Sequence, residues 1–291
     1  MTDVCIHRGT ALSLGCVDGD EIVCPYHGWH YDSTGACTLI PQLATPGRVP
    51  PKARVSTFSC AERHGLIWVC LGAPRWGLPD IPELESSAWR AVPCGPYAWD
   101  TDASRQLENF TDFGHFPWVH PGLLGDPERP VVPEHSVSTE GHVLRYDIVR
   151  PEAPNSEDFP IFANEDQEAP MRRSHYEVHL PYTLVLRLGW GGEPAMIYFF
   201  ASQPVDESHC RGYLFVARNY DLDKDDATIR AFEDVIFAQD RRIVESQRPD
   251  RVPFDIAAEI HLKFDAVAVA YRRAMADLGL NETTRARGLP G

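Results

Sequence analysis

The sequence predicts an α+β protein of two domains: a small all-β domain, then a larger domain that combines an antiparallel sheet with C-terminal helices. Three observations predict this organisation. Residues 1–95 are rich in strand formers and turns, and a proline-rich passage from Pro74 to Pro82 is typical of a linker. Residues 96–291 contain a series of strand patterns followed by two helical patterns. A chain of 291 residues is long enough for both domains.

Four possible metal ligands lie in two short loops of the first domain. Cys5 and His7 form C-x-H, and Cys24 and His27 form C-x-x-H after an interval of sixteen residues. Each loop therefore offers one sulfur and one nitrogen, which together make the two-cysteine, two-histidine ligand set of a [2Fe–2S] cluster. A tetrahedral zinc site built from the same residues is the alternative, as are thiols and imidazoles without any metal.

A hairpin is predicted to follow these loops. The segments VSTFSCAER and GLIWVCLG are rich in strand formers and flank a turn at His64 and Gly65. The first domain is therefore expected to consist of cluster loops and short strands.

A second group of possible ligands opens the larger domain. Asn109, Asp112, His115 and His120 follow the pattern N-x₂-D-x₂-H-x₄-H. The first three are spaced by three and can share one helix face. On a regular helix the two histidines would lie about 140° apart, so they can converge only if the helix breaks between them, and Pro117, with Gly114 just before, is expected to break it. Two histidines and a distant carboxylate would form the facial triad of a non-haem Fe(II) site, whereas a packed, hydrogen-bonded histidine pair is the alternative.

Strand patterns follow this motif, and then two helical patterns. The predicted strands cover residues 142–150, 175–180, 182–190, 195–203 and 211–219. Turn sequences at 191–194 and 206–208 predict that the last three form an antiparallel meander. The helical patterns cover 223–249 and roughly 256–279.

The helical pattern over 223–249 supplies the candidate carboxylate ligand. Its apolar stripe comprises Ile229, Phe232, Ile236 and Ile243. Asp240 falls on the same face, and a buried carboxylate needs a partner, for which iron would serve. Glu233, one heptad earlier, is the alternative ligand. A salt bridge from Asp240 to Arg241 or Arg242, or a half-exposed position at the edge of the stripe, is the alternative to a metal role.

The charge and hydropathy of the chain limit the kinds of partner and location that it can have. Lys and Arg number 27 against 42 Asp and Glu, and the net charge of −15 argues against a nucleic-acid or anionic-membrane partner. Neither an apolar stretch of about eighteen residues nor a signal sequence is visible, so the sequence predicts a cytoplasmic protein. The six cysteines outside the two loops are scattered, as is typical of reduced thiols.

The segments CIHRG and CPYHGW resemble the cluster loops of Rieske proteins, and the second motif resembles that of the Rieske non-haem iron oxygenases. The segment FAQDRRIVESQ is similar to the one that carries their carboxylate ligand, and the strand and helix order is similar to their helix-grip catalytic domain. The resemblance implies a Rieske cluster at Cys5, His7, Cys24 and His27, and a mononuclear Fe(II) at His115, His120 and Asp240. It also implies catalytic roles for Asn109 and Asp112, with Asp112 as the electronic link between the two centres.

The resemblance implies a terminal oxygenase. Electrons from NAD(P)H would pass through a separate reductase or ferredoxin to the cluster and the iron, where O₂ would hydroxylate or oxidatively dealkylate a small organic substrate. The segments CPYHGWHY, ERHGLIWVCLG and AYRRAMADLG are most similar to the single-component α-type enzymes, which are monooxygenases and demethylases rather than ring dioxygenases.

The resemblance also implies a head-to-tail homotrimer in which His27 of one subunit approaches Asp112 of the next. Two alternatives remain: a Rieske electron-transfer protein with an inert second domain, and a zinc-stabilised binding protein. One feature departs from the family pattern. Only four residues precede Cys5, whereas family members have earlier strands that complete the Rieske sheet. If this domain is truncated at its start, its sheet would lack edge strands and the cluster would be less stable.

Overall fold

The computed structural model describes residues 1–44, 48–151, 171–189 and 195–280. The chain forms two compact units, Met1–Leu78 and Pro79–Gly291. The division falls inside the proline-rich passage and before the predicted domain limit at residue 95. The reason is that Arg90–Trp99 forms a strand in the main sheet of the second unit.

The first unit contains a four-stranded antiparallel sheet and a separate hairpin. The four strands are β1 (Cys16–Asp18), β2 (Glu21–Val23), β3 (His30–Tyr31) and β4 (Cys37–Leu39), and the hairpin pairs β5 (Ser59–Arg63) with β6 (Leu66–Cys70). His64 and Gly65 both have positive φ, at 54° and 73°, which a tight two-residue hairpin turn requires. The hairpin therefore lies where the sequence predicts it.

The second unit is built on one seven-stranded antiparallel sheet. Its strands are β7 (Arg90–Trp99), β8 (Ser138–Glu140), β9 (Val143–Pro151), β10 (Met171–His179), β11 (Thr183–Gly189), β12 (Met196–Pro204) and β13 (Cys210–Arg218), in the order β7-β13-β12-β11-β10-β9-β8. The predicted strands correspond to β9 to β13, whereas the sequence analysis did not identify β7 and β8. The predicted turn at 191–194 lies outside the described residues.

The helices of the second unit are α1 (Pro82–Glu85), α2 (Ala103–Thr111), α3 (Phe116–Val119), α4 (Ala227–Val244) and α5 (Ala266–Asp277). Helix α4 is shorter than predicted. The helix begins at Ala227, and Asp226 is its N-cap residue. Asp226 pairs with Arg90 at 2.8 Å and with Arg218 at 3.4 Å, so Asp223 and Asp225 lie before the helix and not in its first turn. Ile243 is 44% exposed and is not part of the buried stripe, where Val244 lies instead. Among the described helices, none is long and apolar enough to span a bilayer.

Helix α5 begins ten residues later than the predicted 256. Single 3₁₀ turns at Ile256–Ala258 and Lys263–Asp265 precede it. The Asp265 carboxylate accepts a hydrogen bond from the Leu262 N–H at 2.7 Å, which ends the irregular segment and starts the helical one.

The core of the second unit lies between one face of the sheet and helices α2 and α4. Successive strand residues point to opposite faces, so the inward set alternates along β10 to β13. These buried residues include Tyr176, Val178, Leu184, Leu186, Met196, Phe200, Leu214 and Val216. From α4, the side chains of Ile229, Phe232, Ile236 and Phe237 complete the same cluster. The core of the second unit therefore lies between the sheet and α4.

Buried ion pairs hold α2 against α5. Arg272 is buried and contacts Glu108 at 2.6 Å and Glu259 at 2.7 Å. Arg105 contacts Glu259 at 2.9 Å. Hydrogen bonds to buried ionised partners are stronger than neutral ones, so this network fixes the last turn of α2, immediately before Asp112.

Replacing buried Val216 with alanine should lower the free energy of unfolding by about 2 kcal/mol, because it removes apolar contact and leaves a cavity in the core. The matched control is Val149→Ala, since Val149 is 42% exposed on β9. Thermal unfolding of both variants beside the parent protein provides the measurement. Equal destabilisation by the two changes would contradict the described core.

Candidate active site

The two cluster loops have the same backbone structure. In the first, the Gly9 N–H donates to the Cys5 carbonyl at 2.9 Å, and in the second the Gly28 N–H donates to the Cys24 carbonyl at 3.0 Å. Gly9 and Gly28 have φ of +74° and +67°, which favours glycine at both positions. In each loop the cysteine N–H also donates to the carbonyl five residues later, at 2.8 Å, in Thr10 and Trp29 respectively. The two loops therefore hold their candidate ligands in the same backbone geometry.

The four predicted cluster ligands lie together in the first unit. Cys5 and Cys24 are buried, and the rings of His7 and His27 lie 4.5 Å apart between centroids. His7 also stacks on Trp29 at 4.5 Å. Within the described part of the chain, the buried His7 Nδ1 has no hydrogen-bond partner, as expected of a nitrogen that binds metal.

The Cys5 sulfur is set apart by its surroundings. Burial disfavours its thiolate, but hydrogen bonds from the Tyr31 hydroxyl and from the N–H groups of His7 and Arg8 hold the pKa of Cys5 below its ordinary value. The Cys5 Sγ to Tyr31 hydroxyl distance is 3.1 Å. By contrast, burial raises the pKa of Cys37, a core thiol, to about 11. The hydrogen bonds to Cys5 therefore favour its thiolate, the form that binds metal.

The arrangement fits a two-metal cluster better than a single zinc ion. Ligands of one tetrahedral zinc lie about 2.0 to 2.3 Å from the metal, hence within about 4 Å of one another. Here the Cys5 and Cys24 side chains lie within hydrogen-bonding reach of each other, and the His7 and His27 rings form a second pair. A [2Fe–2S] group separates its ligands over two irons and suits this spacing.

The second site depends on a break in the helix. Helix α2 ends at Thr111, and Asp112 adopts an extended backbone with ψ of 142°. His115 precedes α3, and Pro117 lies in the first turn of that helix. The break therefore precedes His115, and His115 and His120 flank the single turn of α3, so the expected break between the two histidines is wrong. The expectation that Asn109, Asp112 and His115 share a helix face is wrong for the same reason.

The two histidines and Asp240 converge in the second unit. His120 Nε2 lies 2.9 Å from Asp240 Oδ1, and His115 Nε2 lies 3.5 Å from the same oxygen. The three ligand atoms all lie within 4.8 Å of one another. Arg241 instead pairs with Glu245 at 2.6 Å, so the predicted alternative of a salt bridge to that arginine is not what the structure shows.

Hydrogen bonds orient both imidazoles. His115 Nδ1 lies 2.6 Å from Asp112 Oδ2, and His120 Nδ1 lies 2.7 Å from Gln239 Oε1. When Nδ1–H donates to these oxygens, each Nε2 keeps its lone pair and points it at the shared centre. Burial disfavours the Asp112 carboxylate, but hydrogen bonds from the His115 ring and from the N–H groups of Gly114 and His115 lower its pKa. Asp112 thus stays ionised beside His115.

The convergent atoms fit a metal ion. Across the described ranges, His115 Nε2, His120 Nε2 and Asp240 Oδ1 are buried and have no hydrogen-bond partner of suitable geometry. Leaving three such groups unsatisfied would be costly, whereas one divalent cation would satisfy all of them. Two imidazoles and a carboxylate with open positions are the ligand set of non-haem Fe(II) oxygenases.

A cavity of about 610 Å³, including its open mouth, adjoins these three residues. Most of its wall is aromatic or aliphatic, with Phe116 and Tyr176 among its members. Its largely apolar lining with a few polar groups is typical of a site for a small organic molecule. Asn109, which the sequence analysis predicts as catalytic, also lines this cavity.

Glu233 lines the same cavity but is not part of the convergent group. Its carboxyl accepts a hydrogen bond from the Tyr198 hydroxyl, and burial raises its pKa to about 8. The structure therefore supports Asp240 over Glu233 as the third ligand. The sequence analysis did not identify Gln239, because adjacent helix positions do not face the same way and no local pattern shows that its side chain reaches His120.

Comparison with known proteins identifies both halves of the chain. The model of the Rieske [2Fe-2S] domain matches residues 1–59. The model described as the Vanillate O-demethylase oxygenase C-terminal domain matches residues 99–280. The second match covers more than half of the chain and includes the residues that converge in the catalytic domain.

Similar proteins are known from Pseudomonas putida. The chain is 37% identical to methylxanthine N1-demethylase NdmA, over 96% of this chain and 76% of that protein. It is 31% identical to methylxanthine N3-demethylase NdmB, over 96% and 77% respectively. A structure of NdmA with caffeine superimposes with a TM-score of 0.83 at 34% identity, covering 97% of this chain and 79% of that chain. A stretch of 72 residues, 24% of this chain and 12% of the relative, is 51% identical to oxidoreductase NdmD.

The two metal sites should be separable by mutation. Asp240→Ala or His120→Ala should remove the mononuclear iron while leaving the visible absorption of the cluster, because the ligand sets lie in different units of the chain. His7→Ala should have the reverse effect. Iron analysis of the purified proteins should give about three irons per chain in the parent and about two in Asp240→Ala.

Glu233→Gln serves as the control, since it alters a neighbouring carboxyl on the same helix. Iron content that is normal in Asp240→Ala but lost in Glu233→Gln would show that the ligand assignment is wrong. Two irons per chain in the parent protein would instead favour a simple electron carrier, and a colourless protein would favour zinc.

Proposed function

Because this chain belongs to the Rieske non-haem iron oxygenases, we propose that it oxidatively removes a methyl group from nitrogen in a small N-methylated heterocycle. The chain is a terminal oxygenase of the monooxygenase and demethylase type, which uses O₂ and electrons delivered by a reductase. The observation that carries the proposal is the 37% identity to a methylxanthine N1-demethylase over 96% of the chain. The aromatic cavity beside His115 supports it, because flat rings pack well against aromatic walls.

We assign the cluster ligands as Cys5, His7, Cys24 and His27, and the iron ligands as His115, His120 and Asp240. When bound, the cluster supplies electron relay and the mononuclear iron supplies O₂ activation. Asp112 and Gln239 hold the two imidazoles in the ligating tautomer. The largely apolar cavity lies next to these ligands, where the substrate methyl group must lie.

N-Demethylation releases a defined product. One oxygen atom of O₂ enters a C–H bond of the methyl group, and the other is reduced to water by two electrons and two protons. The resulting N-hydroxymethyl group loses formaldehyde by cleavage of its C–N bond and leaves an N–H group. Formaldehyde and demethylated heterocycle should therefore form in equal amounts.

The holoenzyme, NADH and a surrogate reductase should be assayed with N-methylxanthines and, in parallel, with methoxylated benzoates. We expect formaldehyde and an N–H product from the xanthines, and none with Asp240→Ala. Formaldehyde only from the methoxylated compounds would indicate O-demethylation, and ring diols would indicate a dioxygenase. Either result would contradict the proposed function.

We further infer that the enzyme works as a head-to-tail homotrimer in which the cluster of one subunit serves the iron of the next. The Asp112 side chain is 40% exposed. It opens on a surface cavity shared with Ile243 and Ile260, and Ile260 is almost fully exposed. In the first unit, Ile6 and Tyr26 beside the cluster histidines are exposed as well. Apolar side chains next to both electron-transfer residues support a contact between copies of the chain.

Mixing two inactive variants should test transfer between subunits. His7→Ala lacks the cluster and Asp240→Ala lacks the iron, so no single chain has both centres. Co-expressed mixed trimers should recover turnover several-fold above either variant alone, because some contain an intact cluster beside an intact iron. The controls are each variant assayed alone and the two purified variants mixed immediately before the assay, before subunits have time to exchange. Light scattering that shows active monomers, or the absence of recovery in mixed trimers, would rule out the ring.

A further inference from the structure

One buried polar group in the catalytic cavity has no role in holding the metal. Glu233 is 3% exposed and lies on α4, seven residues before Asp240. Its Oε1 atom is buried and, in the described part of the chain, has no hydrogen-bond partner. A buried, unsatisfied carboxyl oxygen is costly and persists in a binding cavity when the ligand supplies the missing partner.

The surroundings of Glu233 leave one side of its carboxyl for the ligand. The Tyr198 hydroxyl, from β12, donates a hydrogen bond to the carboxyl. Ile236 and Phe237, from the next turn of α4, line the cavity with it. These apolar neighbours offer no hydrogen bond. Arg172 also lines the cavity, but in the described part of the chain no side chain bonds to Oε1, so a molecule inside the cavity is placed to supply the second donor.

We propose that Glu233 selects substrates that carry an N–H group, by accepting a hydrogen bond from that group at Oε1. This inference rests on the proposed N-demethylation and adds the class of substrate: an incompletely methylated heterocycle in which one ring nitrogen still bears hydrogen. With Tyr198 donating to the carboxyl and the ring N–H donating to Oε1, both oxygens have partners. A fully methylated ring leaves Oε1 buried and unsatisfied.

The four common methylxanthines separate these possibilities. Caffeine has methyl groups on all three substitutable nitrogens and no N–H, whereas theobromine, theophylline and paraxanthine each keep one N–H at a different position. All four carry the same two carbonyl groups. Recognition of a carbonyl by Glu233 therefore would not distinguish them, while recognition of N–H would.

Binding should be measured by calorimetry on the oxidised holoenzyme without reductase, so that no turnover occurs. We expect at least one dimethylxanthine to bind about tenfold or more tightly than caffeine, as the loss of one hydrogen bond at a buried group predicts. Glu233→Leu should reduce this preference to about twofold or less, and Glu233→Gln, which keeps an acceptor oxygen, should retain part of it. Tyr198→Phe should weaken the preference by a smaller factor.

The matched control is Asp234→Asn, the next carboxylate on α4, which accepts a hydrogen bond from Tyr97 at 2.9 Å and does not line the cavity. It should keep the parent preference. Iron content and cluster absorption should be unchanged in all four variants, which shows that they fold and retain both metals. Equal binding of caffeine and every dimethylxanthine by the parent would overturn the inference, as would loss of iron in Glu233→Leu.

Failure of this inference is distinguishable from failure of the proposed function. N-Demethylation with no preference for N–H substrates contradicts only the role of Glu233. A clear N–H preference in binding without formaldehyde release contradicts only the assigned reaction.

Discussion

The structure of the catalytic domain near its candidate metal site depends on one requirement: the buried carboxylate of Asp240 must have partners. It lies on the buried face of α4, and its ion-pair partners in the described ranges are two imidazoles. The Nδ1–H groups of the two imidazoles donate hydrogen bonds to Asp112 and Gln239. Their Nε2 atoms therefore present lone pairs, and not protons, to the Asp240 carboxylate. A divalent cation would satisfy all three groups at once, so metal binding at the proposed site would stabilise this part of the fold.

The same requirement explains the irregular chain between α2 and α3. The extended residue Asp112 ends α2 before His115, and the two histidines then flank the single turn of α3, which brings both of them to Asp240. The segment between α2 and α3 would be mobile if α2 were not held in place. The buried pairs from Arg272 to Glu108 and Glu259 hold α2 in place, and Ser202 donates to Gln106 at 2.6 Å to attach it to β12.

Local features of the fold and the site were predictable from the sequence, and features that depend on distant partners were not. The two loops were recognisable because each cysteine, histidine and glycine of a loop lies within five residues. Strands β9 to β13 were visible from their alternation, and the hairpin from its turn. By contrast, the end of α2, the late start of α5 and the exposure of Ile243 depend on caps and packing. Gln239 acts on a residue more than a hundred positions away, which a single sequence does not reveal.

Helix α4 carries both the proposed metal ligand and the proposed substrate contact. Glu233 and Asp240 are seven residues apart, close to two full helical turns, so they share one face and differ mainly in depth along the cavity. Inserting one residue between them would rotate Glu233 by about 100° and carry it out of the cavity. During evolution, the substrate preference of the enzyme can therefore change through substitutions in this segment of α4, but not through insertions or deletions in it. Insertions and deletions should therefore accumulate elsewhere in the domain, while the cavity-lining positions of α4 diversify within a helix of constant register.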